Sequence, residues 1–554
     1  MRLDPKHYTL AQLLQGRLFR IPDYQRPYAW RKQQRDELFS DIEEVQETDQ
    51  DHFMATVVAL VKDRRKIVAD EYTAVDLVDG QQRITTLIVL LKAVEQALDL
   101  DDKVESKIRS EIKDLLVKTD DHSLLLLQTN HDSTNVFADY IRSGAYGANA
   151  HTTEAERNLI DACMECQSFV TRWQKTSTLI DLVSILRNRL SMIYHELTDE
   201  ASVYRVFEVL NSRGLDVKQV DKVKSQLMAL IFSSAKGGAM EEALDEMREI
   251  WRRIYRTVGL RGTLADQALR FAGTLQLSYI PNRILSEEDA AAELIRAAGK
   301  DLPSIIKVAR ILESIVESID KLDQNHRIKA VTSVMQARFA ATCIDIRKLA
   351  ASDALRTMKA WEHVTFLVYG LGGSDKRKKV GEYTRLGHEI VNGSMSADAI
   401  CDRLIAIPGS DHHIDKVLAN ADWSDCYSGW AEPLRYILYR YEEHLSSKHG
   451  EKINVGEWKK IWQQDPSKSI EHITPQSSNR SFIHQLGNLT MLPPGVNSSL
   501  RDKSPADKIK AYEDSGIRAT RHVAAVVRKE GWKAKNVETR TNEIIEFIRE
   551  EWSL

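Results

Sequence analysis

The chain has 554 residues, of which 43% are hydrophobic and 29% charged, and its formal net charge is only −4. That composition fits an ordinary globular protein of about three or four domains and excludes a global basic field, so any surface for nucleic acid must be local. No apolar run approaches membrane-spanning length, the first residues lack a signal-peptide core, and five cysteines make no disulfide framework, so a cytoplasmic protein is expected.

In chain order, Arg17 to Ile21 reads as a strand that stops at Pro22. An aromatic and basic loop follows, Asp23-Tyr-Gln-Arg-Pro-Tyr-Ala-Trp30. Leu38, Ile42 and Val45 then share one face of a helix from about Lys32 to Glu47. His52 to Lys62 and Tyr72 to Val78 are rich in β-branched residues and read as strands. The second runs into Asp79-Gly-Gln-Gln-Arg83, and an apolar helix, Ile84 to Lys92, begins at once. A strand, a polar turn containing Gly80 and a helix N-terminus form a geometry that binds phosphate through free backbone amides. Arg83 adds a bidentate cation, and Thr85 and Thr86 add hydroxyls. No Gly-Lys-Ser/Thr is present, so this is not a P-loop.

Cys163 and Cys166 have metal-ligand spacing, but no second pair follows, and both fall on a helical pattern with Ile160, Phe169 and Trp173. They read as helix-face residues. Leu190 to Leu197 reads as a strand, and a helix from Ala201 ends in the polar knot Asn211-Ser-Arg-Gly214, with Gly214 at a left-handed cap. Asp221 to Lys224 starts another helix. After the small-residue break at Ser233 to Gly238, amphipathic patterns dominate over Met240–Val258, Asp289–Ala298, Ser304–Leu322, His326–Leu349 and Leu355–Tyr369. The glycine loop and four cations of Gly372 to Lys379 suit either a DNA phosphate or solvent.

Near the end lies Ser469-Ile-Glu-His-Ile-Thr-Pro-Gln476, then His484-Gln-Leu-Gly-Asn-Leu-Thr-Met-Leu492, then Asn497 and Lys508. The alternation through Ile470 and Ile473 predicts a short strand presenting Glu471 and His472. Gly487-Asn488 makes a turn into a second strand, and Asn497 opens a segment that becomes helical from Lys503 to Tyr512. Helices are expected from Trp430 to His444 and from about Val537 to Trp552. Strand, turn, strand and helix in this order suit phosphodiester hydrolysis. A neutral His472 can take a proton from water. Glu471 and Asn497 offer oxygen ligands to a divalent cation. Asn488 can hold the imidazole in one tautomer, and Lys508 can neutralise a phosphate. The local cations Arg518, Arg521, Arg528, Lys529, Lys533 and Lys535 are where a DNA backbone is expected.

These residues resemble the HNH (ββα-metal) nucleases, specifically the GmrD-type domain with its "EHI.PQ … LGNLT.L … N … K" pattern. The resemblance implies His472 as general base, Asn488 orienting it, and Glu471 and Asn497 near Mg²⁺ or Mn²⁺. The N-terminal motifs "IPDYQRPYAW", "VDGQQRITTL" and "FEVLNSRG…K" look like the GmrS-type, ParB-like domain. That resemblance implies a nucleoside triphosphate site, for GTP, UTP or ATP, with NTPase activity. Its residues would be Gln25, Arg26, Asp79, Gly80, Gln81, Gln82, Arg83, Asn211 and Arg213.

The expected architecture is α+β and multidomain: a ParB-like mixed α/β domain over residues 1–235, a helical middle over 236–410 and an HNH nuclease domain over 411–554. Together the two ends resemble the GmrSD family of type IV restriction endonucleases. The resemblance implies an NTP-regulated endonuclease that cleaves or nicks double-stranded phage DNA carrying glucosylated or hydroxymethylated cytosine. The alternatives are a phosphorothioate-sensing nicking enzyme or a nucleotide-regulated nuclease without modification sensing. A homodimer is left open.

Overall fold

The structure, a computed structural model, describes residues 5–22, 25–67, 69–118, 125–129, 134–146, 153–198, 218–259, 261–331 and 333–553. It is mostly helical with one mixed sheet, an α+β chain. It divides into two compact units, one of Met1–Gln276 with Ser286–Glu317, the other of Leu277–Leu285 with Ser318–Leu554. The stretch expected to be a helical middle is shared between them.

In the first unit, β1 (Lys6–Thr9), β2 (Arg17–Arg20), β3 (His52–Ile67), β4 (Asp70–Asp79), β5 (Leu127–Gln128) and β6 (Leu190–Leu197) form a sheet in the order β1-β6-β3-β4-β2-β5. β3 is antiparallel to β4 and parallel to β6, while β2 runs parallel to both β4 and β5. The apolar run Val57 to Leu60 places β3 in the middle of the sheet, where both faces are covered. Past Leu60 β3 has left β6 and pairs with β4 alone, so its charged end leaves the sheet as part of a two-stranded ribbon.

The helices α1 (Leu10–Leu14), α2 (Lys32–Thr48), α3 (Gln81–Ala97), α4 (Lys103–Leu116), α5 (Thr134–Ser143), α6 (Glu154–Trp173) and α7 (Leu179–Ser184) accompany the sheet. α3 is apolar on nearly every side, which is the pattern of a fully buried helix, and its residues from Ile84 to Val94 are all buried. It starts three residues earlier than predicted, because Gly80 caps it at φ +84. A Cβ at Gly80 would also lie 3.1 Å from Val57 Cγ2, so strand and turn approach too closely for a larger residue. Cys163 and Cys166 are buried on α6 in the core of this unit, where desolvation pushes both thiols up. The helix from Ala201 and the knot at Asn211 to Gly214 lie outside the described residues.

The middle of the chain is helical: α8 (Gln219–Ser234), α9 (Gly238–Val258), α10 (Gly262–Leu275), α11 (Glu287–Ala298), α12 (Leu302–Gln324), α13 (His326–Val331), α14 (Met335–Ile346), α15 (Ala351–Thr365), α16 (Val380–Asn392), α17 (Ala397–Ile405) and α18 (Ile414–Asn420). The single helix predicted over His326–Leu349 is therefore two. The Gly372 to Lys379 loop is tied down, since Gln336 donates to the carbonyls of Lys376 and Lys378 and Arg377 pairs with Asp375 at 3.0 Å.

The second unit carries the hairpin of β7 (Ile470–His472) and β8 (Leu489–Met491). Around it are α19 (Ala431–Lys448), α20 (Val455–Trp462), α21 (Pro494–Leu500), α22 (Ile509–Glu513), α23 (Arg518–Glu530) and α24 (Ala534–Trp552). The strands are antiparallel, with Glu471 opposite Thr490 and His472 opposite Leu489. α24 presses on the turn between them, where a Cβ on Gly487 would fall 2.0 Å from the Val537 carbonyl. Only glycine fits there. Asn497 sits inside α21 rather than opening a later helix, because Pro494 starts that helix at its first position.

Candidate active site

The hairpin brings His472, Glu471, Asn488, Asn497 and Lys508 into one region, and it gives several of them tasks that differ from those expected. His472 is buried, with both ring nitrogens engaged. Gln476 donates its amide N–H to Nδ1 at 3.1 Å, and Nε2 lies 3.1 Å from Nδ1 of His484. With Nδ1 accepting, the proton of the neutral ring sits on Nε2 and points at His484. Tyr427 stacks on His484 with ring centres 5.3 Å apart and meets His472 edge-on at 4.7 Å. Burial, then the neighbouring His484 and Lys508, lower the His472 pKa to about 4. The ring is therefore neutral at working pH.

Glu471 is next in sequence to His472, so on a strand it points to the opposite face. Its carboxylate lies 2.7 Å from Nζ of Lys508 and accepts the hydroxyl of Tyr512 at 2.8 Å, all three side chains being buried. Lys508 also donates to the His472 carbonyl at 2.7 Å. Lys508 is thus a buried strut and not a phosphate contact, and Glu471 faces the core instead of the space beside the imidazole. Asn497 donates to the carbonyls of Lys468 and Ile470, which ties α21 to β7. The pair Glu471 and Asn497 does not fit a metal beside His472.

Asn488 is also placed differently. Its side-chain oxygen accepts from the Thr474 amide at 2.9 Å and the Trp532 indole at 3.1 Å, and its amide donates to the carbonyls of Thr474 and Ile483. It fixes the loop after β7 rather than the imidazole. Gln476 and His484 make the contacts foreseen for Asn488. Both stand in the motif, and their spacing from His472 carried no periodic signal to assign them.

In the first unit the loop after Pro22 lies against the start of α3. The buried Gln82 side chain accepts from the Ala29 amide at 2.7 Å and donates to the Pro27 carbonyl at 3.1 Å. Gln25 donates to the Val78 carbonyl at 3.1 Å, and Gln81 reaches the Arg26 carbonyl at 3.4 Å. Tyr28 hydrogen-bonds Thr86 at 2.8 Å, and both are buried. Thr85 and Thr86 donate to the carbonyls of Gln81 and Gln82 on their own helix, so their hydroxyls are not free for phosphate. The polar groups left at the surface of this knot are Arg26, Asp79, Arg83 and the first amides of α3, which no side chain caps. Gln81 Oε1 is buried without a hydrogen-bond partner among the described residues.

Arg83 lies over the Trp30 ring at 5.6 Å, and burial lowers its pKa against the pull of Asp41 and Asp79. Burial raises Asp79, opposed by its bond from the Gly80 amide and by Arg26 and Arg83. Asn211, Arg213 and Tyr24 lie outside the described residues. The sequence reading missed Lys224, which is buried 5.0 Å over the Tyr255 ring on the side facing Arg26. Desolvation pulls its ammonium down to about 8, and Tyr255 donates its hydroxyl to Asp221 at 2.5 Å.

Two family models match the chain: the N-terminal domain of the GmrSD restriction endonuclease over residues 10–228, and the C-terminal domain of GmrSD restriction endonucleases over residues 411–547. The matches take in both sites just described and define a restriction endonuclease. The chain belongs to the GmrSD family of these enzymes. No curated protein matches it. Among the described residues no helix is long and apolar enough to cross a membrane.

Proposed function

We propose that this restriction endonuclease is a nucleotide-regulated nuclease that cuts or nicks DNA carrying modified bases, such as glucosylated or hydroxymethylated cytosine. The observation that carries the hydrolytic part is the buried, neutral His472 held between Gln476 and His484 at the end of β7. A neutral imidazole can accept a proton from the attacking water at Nδ1 once Gln476 yields that position to it. Gln476 is exposed, whereas His484, half-buried and stacked on Tyr427, faces the protonated Nε2 and is the group through which a proton would leave.

A divalent cation, Mg²⁺ or Mn²⁺, belongs to this reading as the ion that would stabilise charge on the phosphate. The Glu471 and Asn497 pair does not fit as its ligand set, because the Glu471 carboxylate faces Lys508 and Tyr512. The regulatory part rests on the first unit: the uncapped amides at the start of α3, Arg83 and Arg26 suit the phosphates of GTP, UTP or ATP. Hydrolysis of that nucleotide and its coupling to cutting are part of the same proposal.

The test is cleavage of matched phage DNA, either unmodified, glucosyl-hydroxymethylated or phosphorothioated, with Mg²⁺ or Mn²⁺ and with or without triphosphate. Cutting confined to one modified substrate, and lost in His472→Ala, supports the reading and names the mark. Equal cutting of every substrate would remove modification sensing. Cutting that ignores triphosphate would remove the regulation.

A further inference from the structure

A basic groove lies in the first unit, away from the knot at α3. Two adjoining cavities of about 300 and 200 Å³ share Arg20, Lys62, Asp76 and Gln128 as lining. The floor is the end of β2 and the neighbouring part of β4. One wall is the β3–β4 ribbon, which contributes Lys62 and Arg65. The other is α9, which contributes Arg248 and Arg252, four residues apart and hence on one helix face. Five cations thus face three carboxylates, Asp63, Asp76 and Glu249, in a chain whose net charge is negative.

The construction of the groove is specific. In a regular strand Lys62 and Arg65 would point to opposite faces. The pairing of β3 with β4 shifts register between Val61 and Arg64, and this irregularity brings both into the same cavity. Arg20 is held by the buried Asp76 through two hydrogen bonds of 2.7 Å, yet its side chain is 53% exposed. A buried carboxylate thereby fixes an exposed guanidinium in one orientation, which spares the entropy of ordering it on binding. Beyond the cavities the ribbon continues with Arg64 and Lys66, both exposed. The cations are strung along two walls of an open trough and do not converge on one point.

We propose that this groove, from Arg20 to Arg252 and along the ribbon, holds the phosphodiester backbone of duplex DNA. Strung-out cations match a linear polyanion, and a two-stranded ribbon is a shape that a DNA groove admits. The proposal rests on the reading of the chain as a DNA endonuclease, and it adds a docking surface in the unit that does not carry His472. The groove cations have acidic partners, Arg20 and Lys62 on Asp76, Arg65 on Asp63, Arg248 on Asp245 and Arg252 on Glu249, as do Arg518, Arg521 and Arg528, engaged by Glu451 and Glu513 at the surface foreseen from the sequence. Lys529, Lys533 and Lys535 stay exposed there.

The experiment is fluorescence anisotropy with a labelled duplex of about two helical turns, in a salt series without divalent ion, using the full chain. Arg65→Ala/Arg248→Ala/Arg252→Ala is compared with wild type and with a control, Lys103→Ala/Lys107→Ala on α4. The expected result is binding at least about tenfold weaker at ~0.1 M salt and a salt slope lower by about two to three, with the control unchanged. Arg64→Ala/Lys66→Ala, at exposed positions that carry no core, should lower the slope by about one to two and covers the case in which the triple variant misfolds. Wild-type affinity and slope in both variants would overturn the proposal. So would loss of triphosphate binding with DNA binding intact, since the groove would then be a nucleotide subsite. Failure of the wild type itself to bind the duplex, whether unmodified or glucosyl-hydroxymethylated, would overturn the groove proposal together with the proposed DNA-cutting function.

Discussion

The ammonium of Lys508 lies 2.7 Å from the carboxylate of Glu471, and both side chains are buried. Two residues that the motif offers to metal and phosphate instead hold each other beneath the hairpin. Tyr512 and the His472 carbonyl complete the cluster. Removing one partner strands a buried charge, at a cost of about 3–5 kcal/mol. Glu471→Gln and Lys508→Met should each lower the urea midpoint sharply, and the double variant should recover much of the loss. A double-mutant cycle measured by urea unfolding checks this. Were Glu471 a metal ligand, Glu471→Gln would weaken Mg²⁺ or Mn²⁺ binding at nearly unchanged stability, and that outcome would reverse the assignment.

The pKa of His472, lowered to about 4, makes folding depend on pH. The unfolded ring titrates near 6.5. Between these values the unfolded state holds the proton and the folded state does not, so the stability held above pH 6.5 is lost as pH falls toward 4. His472→Gln should flatten the melting temperature against pH over that window while abolishing cleavage. His484→Ala removes one of the groups that depress the pKa, so the loss of stability should become smaller and end at a higher pH. A thermal melt series from pH 4 to 7.5 measures both effects. An unchanged profile in His472→Gln would mean that other groups carry the pH dependence.

Asn488 is a fixing residue for the loop between Thr474 and Ile483. Replacing it by Ala orphans a buried amide, two carbonyls and the Trp532 indole, each costing about 1–3 kcal/mol where water cannot reach. Asn488→Ala should therefore give a poorly folded second unit and not a stable protein with a misaligned base. Asn488→Asp keeps the acceptor and loses the donors, so its stability should fall between. A circular dichroism melt separates these from a purely catalytic defect, in which stability would be untouched and only the rate would fall.

Much of this was legible in the sequence because local pattern and tertiary need agreed. The alternation at Ile470 and Ile473 found β7, the β-branched run found β3, and the apolar run from Ile84 shortly after Gly80 found the start of α3 within three residues. The strand near Leu190 to Leu197 was found because Leu190, Met192, Tyr194 and Leu197 supply a mostly buried apolar run. What failed was direction. Sequence places Glu471 beside His472, but a strand turns successive side chains apart, and only tertiary structure shows that Tyr512 and Lys508 wait on the other face. Asn488 read as an imidazole partner because polar residues near a catalytic histidine suggest one. Its oxygen went instead to the Thr474 amide and the Trp532 indole. The division of residues 236–410 between two units had no composition signal, since helices of either unit carry the same amphipathic pattern.

The side chain of Gln82 clamps the aromatic loop, accepting from Ala29 and donating to Pro27. It acts as a two-bond substitute for strand pairing in a segment whose prolines limit ordinary hydrogen bonding. Arg26 sits in the clamped segment, and its orientation toward Asp79 depends on the clamp. Gln82→Met has nearly the same shape, keeps the packing and removes both bonds. We expect a stability loss of about 1–3 kcal/mol, faster hydrogen exchange at the Ala29 amide and weaker triphosphate binding. Arg83→Lys tests the other half of the site. It keeps the charge over Trp30 but loses the planar fork that grips two phosphate oxygens. Its melting temperature should stay within a degree or two of wild type while triphosphate affinity falls about tenfold. Calorimetric titration with GTP, UTP and ATP, run beside exchange and melting data, separates the two effects. If Gln82→Met loosens Ala29 while triphosphate binds as before, the clamp serves the fold alone and the nucleotide contacts lie elsewhere on the first unit.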